Sequence, residues 1–412
     1  MDAPSTPLSP VHDAEVISLA GLAHATSHFF HLILPPLFPW LMPAFGLSFT
    51  AVGGLMTLFF VFSGVGQALA GFAVDRVGAR PVLLAGIALL GASAALVGAA
   101  QGWVTLALAA AVAGVGNSVF HPADFSLLNH RVTGPSLSHA FSIHGLSGYL
   151  GWAAAPPFMV GIAGFAGWRV AAFAAFAVAL AVLSVMYLRR VALDDTPHRI
   201  TLQDAPQERT PGATLAFLRS RPLWMCFGFF VAATMAFGAL QIFAPALLER
   251  LHGISLPLAT AALSVYLAGG AAGTFVGGFL AAARTDQDRV IAAALLAASA
   301  VAVLLATAAA PAWAVVSLMA LMGFLTGLVA PSRDLLVRRA ATTGFGTRAF
   351  GRVYGVVYSG LDVGLAAAPL AFAPLMDAGH YQQVLYGVAA LQGLAILTVA
   401  QLGVRSRPAT VI

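Results

Sequence analysis

The sequence predicts an all-α membrane protein with twelve transmembrane helices in two pseudo-symmetric six-helix bundles. Of its 412 residues, 60% are hydrophobic and only 8% are charged, whereas soluble proteins carry roughly 25% charged residues. So little polar surface cannot cover a globule in water, and lipid must be the main solvent. The apolar residues also fall into runs of about 20, the length that crosses a bilayer as a helix.

Charge and cysteine content exclude several classes of protein. All twenty basic residues are arginine, and their placement along the chain, rather than the net charge of +5, argues against a nucleic-acid partner. Cys226 is the single cysteine, so an intrachain disulfide and a metal–thiolate cluster are both impossible. The sequence also lacks phosphate-loop, zinc-protease and nucleophile-elbow motifs. We therefore expect no enzyme, no cofactor and no resident metal.

Twelve apolar runs separated by turns or charges define the expected spans. The junctions at Gln101–Gly102 and at Pro311 are short. Four prolines at positions 35, 36, 39 and 43 predict a kink in the outer third of span 1, because proline breaks the helical hydrogen-bond pattern. The expected spans are 16–42, 50–73, 81–100, 103–128, 138–162, 168–188, 222–247, 257–282, 289–309, 312–337, 350–373 and 382–403.

The arginines set the orientation of these spans, because cytoplasmic loops are enriched in basic residues. With a cytoplasmic N-terminus, only Arg169 and Arg250 fall outside and Arg333 lies within a span, which leaves 17 of the 20 in cytoplasmic segments. The first 15 residues are acidic and do not fit a cleaved signal peptide. We expect a multi-pass protein of the bacterial inner (plasma) membrane with both termini in the cytoplasm.

The same reading divides the chain into five parts. Segment 190–221 is rich in arginine, acids and proline and predicts a cytoplasmic linker. It separates a bundle of six helices at 16–189 from a second bundle at 222–403. Residues 1–15 and 404–412 are expected to be cytoplasmic tails.

Glycine and proline positions repeat at a shift of about half the chain. The matching pairs are Gly66 with Gly273, Gly71 with Gly278, Gly114 with Gly323, Pro122 with Pro331, Gly151 with Gly364, and Pro156 with Pro369. Parallel halves of this kind, with a binding site between them near the bilayer midplane, are a known transporter architecture.

Span 2 ends in the sequence Gly-Phe-Ala-Val-Asp-Arg-Val-Gly-Ala-Arg at 71–80. This resembles the signature loop of the major facilitator superfamily, whose motif positions here are Gly71, Asp75, Arg76, Gly78 and Arg80. The resemblance implies the fold of that superfamily and a charge network in which Asp75 and Arg76 help to latch the cytoplasmic gate. The corresponding loop of the second half lacks the aspartate.

Further motifs resemble the fosmidomycin-resistance group of exporters. They are Ser27-His28-Phe29 in span 1, Gln67 before the signature loop, and Gly114-x-Gly116-x-x-x-Phe120-His121-Pro122 in span 4. The resemblance implies proton-coupled efflux, that is, antiport. The chain departs from that pattern at His31, where an acid is expected, and at Ala123-Asp124, where glutamate is more usual.

Ionisable residues inside the first-half spans are candidate site residues, since each costs roughly 2.5 kcal/mol or more at bilayer depth. His24, His28 and His31 share one face of span 1. Span 4 adds His121 and Asp124, and span 5 adds His144. Such a cluster could couple protons to substrate movement, bind an anion when protonated, or bind a metal ion when neutral. Alternatively, the histidines only form hydrogen bonds between helices.

The second half contributes Arg333 and Asp334 in span 10 and Asp362 in span 11. One interpretation is that Arg333 contacts an anionic substrate, with Asp362 as counter-ion or proton carrier. The other is a structural Arg333–Asp362 pair, or a gate pair near the cytoplasmic end of span 10.

The main functional expectation is a monomeric secondary transporter that exports a small organic solute in exchange for protons. An uptake symporter for an organic acid or a metal complex is the alternative. A membrane metalloenzyme is remote, because the His-x-x-x-His pair at His24 and His28 has no general-base glutamate between its members.

Overall fold

A computed structural model describes residues 10–194, 221–284, 286–345 and 350–405. These residues form twelve helical segments that are long and apolar enough to cross a membrane, which confirms the predicted number of spans. Most of the predicted linker at 190–221, and most of both tails, lie outside the described residues.

The described residues form fourteen α-helices across these twelve spans. In the first half of the chain they are α1 (Pro10–His31), α2 (Phe38–Phe45), α3 (Phe49–Val77), α4 (Ala79–Gly98), α5 (Trp103–Asn117), α6 (Phe120–Arg131), α7 (Gly134–Ala166) and α8 (Trp168–Leu188). In the second half they are α9 (Arg221–His252), α10 (Leu256–Ala283), α11 (Gln287–Ala306), α12 (Ala312–Phe345), α13 (Phe350–Asp377) and α14 (Tyr381–Arg405). The helices belong to two compact units, one of residues 1–33 and 62–208 and the other of residues 34–61 and 209–412.

Two of the spans are broken inside the membrane. Span 1 changes from α1 to α2 through a 3-10 turn at Pro35–Leu37, as its prolines predict. Span 4 is interrupted at Ser118 and Val119, between α5 and α6. Pro122 lies in the first turn of α6, where backbone N–H groups have no acceptor within the helix. Its missing N–H therefore costs no helical hydrogen bond. Ser118 and Val119 keep right-handed helical dihedrals, so α5 and α6 follow one another within a single span.

In the first unit, α1 packs against α7 with backbone almost touching backbone. A Cβ placed on Gly151 of α7 would collide with the main-chain carbonyl of Ala25 in α1. Because lipid does not drive apolar surfaces together, close approach through small residues is the main means by which such helices associate.

The second unit repeats this arrangement between α9 and α13. A Cβ on Gly364 of α13 would collide with Thr234 Oγ1 of α9 and lie 2.5 Å from the Val231 carbonyl oxygen. Gly151 and Gly364 are partners in the sequence repeat, so the two matching glycines have the same packing role. The contact between α10 and α12 uses the same principle, with Gly323 of α12 against the backbone of Tyr266.

Residues 34–61 pack within the second unit. Gly53 of α3 faces Pro369 and Ala373 of α13, whose Cβ atoms would lie 3.2 and 3.1 Å from an added methyl group. At the start of α3, the Asp377 carboxylate accepts hydrogen bonds from the backbone N–H groups of Phe49 and Thr50, at 2.6 and 2.9 Å. A carboxylate there caps the helix and complements its dipole.

We expect Gly151→Ala to destabilise the protein, because the new methyl group meets a backbone carbonyl that cannot rotate away. Overpacking of this kind costs about 1–3 kcal/mol. The measurement is the apparent melting temperature of the purified protein in detergent. Gly145→Ala is the matched control on the same helix, since a Cβ there meets nothing within 4 Å. Equal melting temperatures for the two variants would contradict the assigned packing role.

Candidate functional site

A cluster of ionisable side chains lies inside the first unit, where α1, α6 and α7 meet. It contains all six first-half candidates: His24, His28 and His31 from α1, His121 and Asp124 from α6, and His144 from α7. All are buried except His121, which is partly exposed, and Asp124 has no exposed surface. The sequence predicted these residues one by one, and the fold brings them together.

His24 lies at the centre of the imidazole rings. Its ring stacks on that of His144 with centroids 3.6 Å apart, and the centroids of His28 and His121 lie 4.2 and 5.1 Å away. His31 is more peripheral, with its ring centroid 5.0 Å from that of His28.

Asp124 provides the carboxylate of the cluster. Its Oδ2 lies 3.1 Å from Nε2 of His144 and 3.7 Å from Nδ1 of His24. One buried carboxylate is thus shared by two imidazoles from different helices.

Asn117, at the end of α5, orients the outer part of the cluster. Its Oδ1 accepts a hydrogen bond from Ser27 Oγ at 2.9 Å and lies 2.8 Å from His31 Nε2, while its Nδ2 donates to Ser63 Oγ at 2.8 Å. Because a carbonyl oxygen only accepts, His31 carries its hydrogen on Nε2. Sequence reasoning missed Asn117 and Ser63. A buried amide inside an apolar span was the available signal.

Trp152 and Gly148 of α7 shape the wall next to His28. The Trp152 ring stacks on that of His28 with centroids 4.1 Å apart. A Cβ on Gly148 would lie 2.6 Å from Nδ1 of His28 and 2.8 Å from Nε2 of His24. The glycine therefore makes room for two imidazoles against the helix backbone.

Several polar atoms of the cluster are buried without a hydrogen-bond partner among the described residues. They are Nδ1 of His24, His28 and His121, and Oδ1 of Asp124. Buried polar atoms are nearly always paired, and each unpaired one costs about 1–3 kcal/mol. Their concentration at one place makes the cluster a candidate site.

In the second half, Arg333 bonds to Asp334, which is compatible with the gate-pair interpretation and differs from the Arg333–Asp362 pair. Arg333 Nε donates to Oδ1 of its neighbour Asp334 at 2.9 Å, and its guanidinium lies 4.6 Å from the centre of the Phe230 ring. Tyr358 donates to the same Asp334 oxygen at 2.9 Å. The expected Arg333–Asp362 pair is absent from the described contacts.

The signature loop contains a glycine with a positive φ angle. Gly78 has φ +91°, which a side chain would not tolerate well, and its N–H donates to the Val74 carbonyl at 2.8 Å. Arg80 lies 3.5 Å from the Asp194 carboxylate. Asp75 and Arg76 are exposed and make no ion pair among the described residues, so the expected latch stays a prediction, and Gly71 faces open space.

Comparison with known proteins identifies the family. The family model described as Major Facilitator Superfamily matches residues 20–369. The chain belongs to the major facilitator superfamily. It is therefore a membrane-embedded secondary transporter of a small molecule and not an enzyme.

Solved structures give the same fold. Two structures of a bacterial homologue of the human lysosomal transporter Spinster, both inward-facing, match 97% of this chain and 98% of theirs. The occupied form has a TM-score of 0.71 at 16% identity and the unoccupied form 0.73 at 15%. At this identity the likeness shows the fold alone. No curated protein matched the sequence.

We expect Asn117→Leu to destabilise the first unit, because Ser27, His31 and Ser63 all lose the amide that they contact. Leaving such buried groups unpaired costs about 1–3 kcal/mol each. Asn129→Leu is the control, since Asn129 is exposed and its side chain bonds only to the Phe125 carbonyl on its own helix. The readout is the apparent melting temperature in detergent. A fall for Asn129→Leu as large as that for Asn117→Leu would contradict the role of the amide.

Proposed function

We propose that this transporter exports a small organic solute in exchange for protons by alternating access, as a monomer in the plasma membrane. The observation that carries the proposal is Asp362, a carboxylate near the middle of α13 with no hydrogen-bond or ion-pair partner among the described residues. An acid at bilayer depth without a cationic partner is costly when ionised, which favours a residue that gains and loses a proton.

The surroundings of Asp362 support this role. Its neighbours Gly360 and Gly364 lie against Phe230 and Thr234 of α9, so the acid is level with an uncharged stretch of that helix. The other titratable or charged side chains described on α13 and the helices packed on it are Arg221, Cys226, Glu249, Arg250 and His252 on α9, Arg333 and Asp334 on α12, Tyr358 and Asp377 on α13, and Tyr381 and Tyr386 on α14.

The stacking of Arg333 on Phe230 brings Arg333 and Asp334 towards this level. They are bonded to one another, and Tyr358 holds the same carboxylate. We therefore assign this trio a structural or gating role near the cytoplasmic end of α12, and we assign the proton to Asp362.

The histidine cluster of the first unit is the proposed solute contact. It combines buried polar atoms that lack partners with an aromatic wall at Trp152, and small-molecule sites typically pair a few placed polar groups with aromatic surface. The exporting direction rests on the resemblance of Ser27-His28-Phe29 and of His121-Pro122 to the fosmidomycin-resistance exporters.

We expect Asp362→Asn to abolish proton coupling, because an amide cannot carry the proton. Cells that express the wild-type protein are first screened on a panel of antibiotics and organic acids for compounds to which it confers resistance. Everted membrane vesicles with an imposed pH gradient then receive such a compound, and a pH-sensitive dye reports the collapse of the gradient. The wild-type protein should collapse it, and Asp362→Asn should not.

Asp288→Asn is the matched control, since Asp288 lies in the first turn of α11 and outside the proposed pathway. Its response should equal that of the wild type at equal expression. A response of Asp362→Asn equal to that of the wild type would refute the assignment. Solute flux in the same direction as the protons would indicate a symporter and would contradict the proposed exchange.

A further inference from the structure

We propose that the histidine cluster binds a divalent transition-metal ion through His24, His121 and His144, with Asp124 beside them. The organic solute of the proposed function is then a chelate of this ion with a small organic acid, and transport of the bare ion would replace that part of the proposal. The part of this inference that identifies the cargo rests on the function proposed above. The metal site itself does not depend on it.

The three imidazoles come from three different helices and converge on one point. One ring nitrogen from each lies within 4.8 Å of the other two. A tetrahedral zinc ion with nitrogen ligands at 2.0–2.1 Å needs nitrogens about 3.4 Å apart. The three nitrogens are therefore near this spacing, and small side-chain rotations can adjust them around an ion.

Asp124 lies where a metal site needs a carboxylate. Its Oδ2 is 3.1 Å from His144 Nε2 and 3.7 Å from His24 Nδ1, and its Oδ1 has no partner among the described residues. From this position it can serve as a fourth ligand, or as the acceptor that fixes the orientation of a ligating ring. The unpaired Nδ1 atoms of His24 and His121 also gain a partner when an ion enters.

The donor set selects the kind of ion. Imidazole nitrogens suit zinc, nickel, cobalt and copper, whereas magnesium and calcium prefer sites built from oxygen. His28 and His31 are less available, because His28 stacks on Trp152 and His31 is held by Asn117. They line the site beside the three proposed ligands.

The charges of the cluster favour a cation over an anion. Its formal acid is the fully buried Asp124, and no arginine is paired with that carboxylate among the described residues. A free organic anion placed among the rings would meet this negative charge at short range. A divalent cation would be attracted by it, since Coulomb forces are strong in a medium of low dielectric constant.

With Asp124 as the acceptor that orients a ligating ring, the three histidine ligands leave one coordination position open. Sites of this kind keep water or an exchangeable group in the fourth position, whereas structural sites use four protein ligands. An open position suits a carrier that must load and release its ion. It also allows a carboxylate of an accompanying organic acid to stay bound to the metal.

The test uses full-length protein purified in detergent, with any affinity tag removed. Zn²⁺ is titrated in competition with a chromophoric chelator, and Co²⁺ binding is followed by visible absorption. Mg²⁺ and zinc citrate are titrated in separate experiments. We expect one Zn²⁺ per chain, no comparable Mg²⁺ binding, and strong Co²⁺ bands typical of a tetrahedral site. Saturable binding of zinc citrate as a unit identifies the chelate as cargo, and stripping of the zinc from citrate identifies the ion.

Two ligand variants and two matched controls locate the site. His121→Gln and His144→Gln should each weaken Zn²⁺ binding at least tenfold. His130→Gln on α6 and His139→Gln on α7 should leave it unchanged, because neither residue lies in the cluster. Melting temperature and gel-filtration profile show whether each variant is folded.

The proposal is overturned if the wild type shows no saturable Zn²⁺ site or weak octahedral Co²⁺ bands, or if His121→Gln and His144→Gln bind as the controls do. If both ligand variants misfold, the Co²⁺ spectrum of the wild type decides. Failure of the vesicle assay with metal binding intact would refute the proposed function alone. Proton-coupled flux without metal binding would refute this inference alone.

Discussion

The membrane interior offers no hydrogen-bond partners, so every polar group in the spans must find one within the protein. The backbone meets this demand by forming helices throughout the twelve spans. Where a proline or a turn interrupts the helix of a span, polar side chains can form hydrogen bonds with other side chains. Asn117, at the end of α5, illustrates this, because its amide contacts Ser27, Ser63 and His31. Against that background, the unpaired nitrogens of the cluster stand out as a functional exception.

Small residues determine how closely the helices approach, and so how close the functional side chains can be. Gly151 lets α7 touch the backbone of α1, and Gly148, one turn away, admits the rings of His24 and His28. The repeat partner of Gly151 is Gly364. Together with Gly360, it brings α13 against α9 on either side of the level of Asp362. The repeat in the sequence is therefore a repeat of packing contacts. The ionisable residues placed on that shared frame differ between the halves.

Much of the fold could be predicted from the sequence, because hydropathy, arginine placement and glycine periodicity are all local signals. The six ionisable residues of the first-half cluster could also be named, since charge at bilayer depth is conspicuous. Their mutual geometry could not be predicted. The sharing of Asp124 between His24 and His144 depends on how α1, α6 and α7 pack, which no local pattern in the sequence encodes. Likewise, Arg333 bonds to its neighbour Asp334 rather than to Asp362. Residue spacing along the chain does not determine which of the two acids the guanidinium contacts.

When the imidazoles are neutral, the single carboxylate of Asp124 in the cluster has a consequence for the energetics of movement in an electric field. With that acid ionised, the empty site carries one negative charge, and a bound divalent ion turns it into one positive charge. A membrane potential acts on each elementary charge with about 2.3 kcal/mol per 100 mV. The voltage would therefore push the loaded and empty sites in opposite directions across the bilayer. A carrier built this way senses membrane potential through its cargo, without any dedicated voltage-sensing helix.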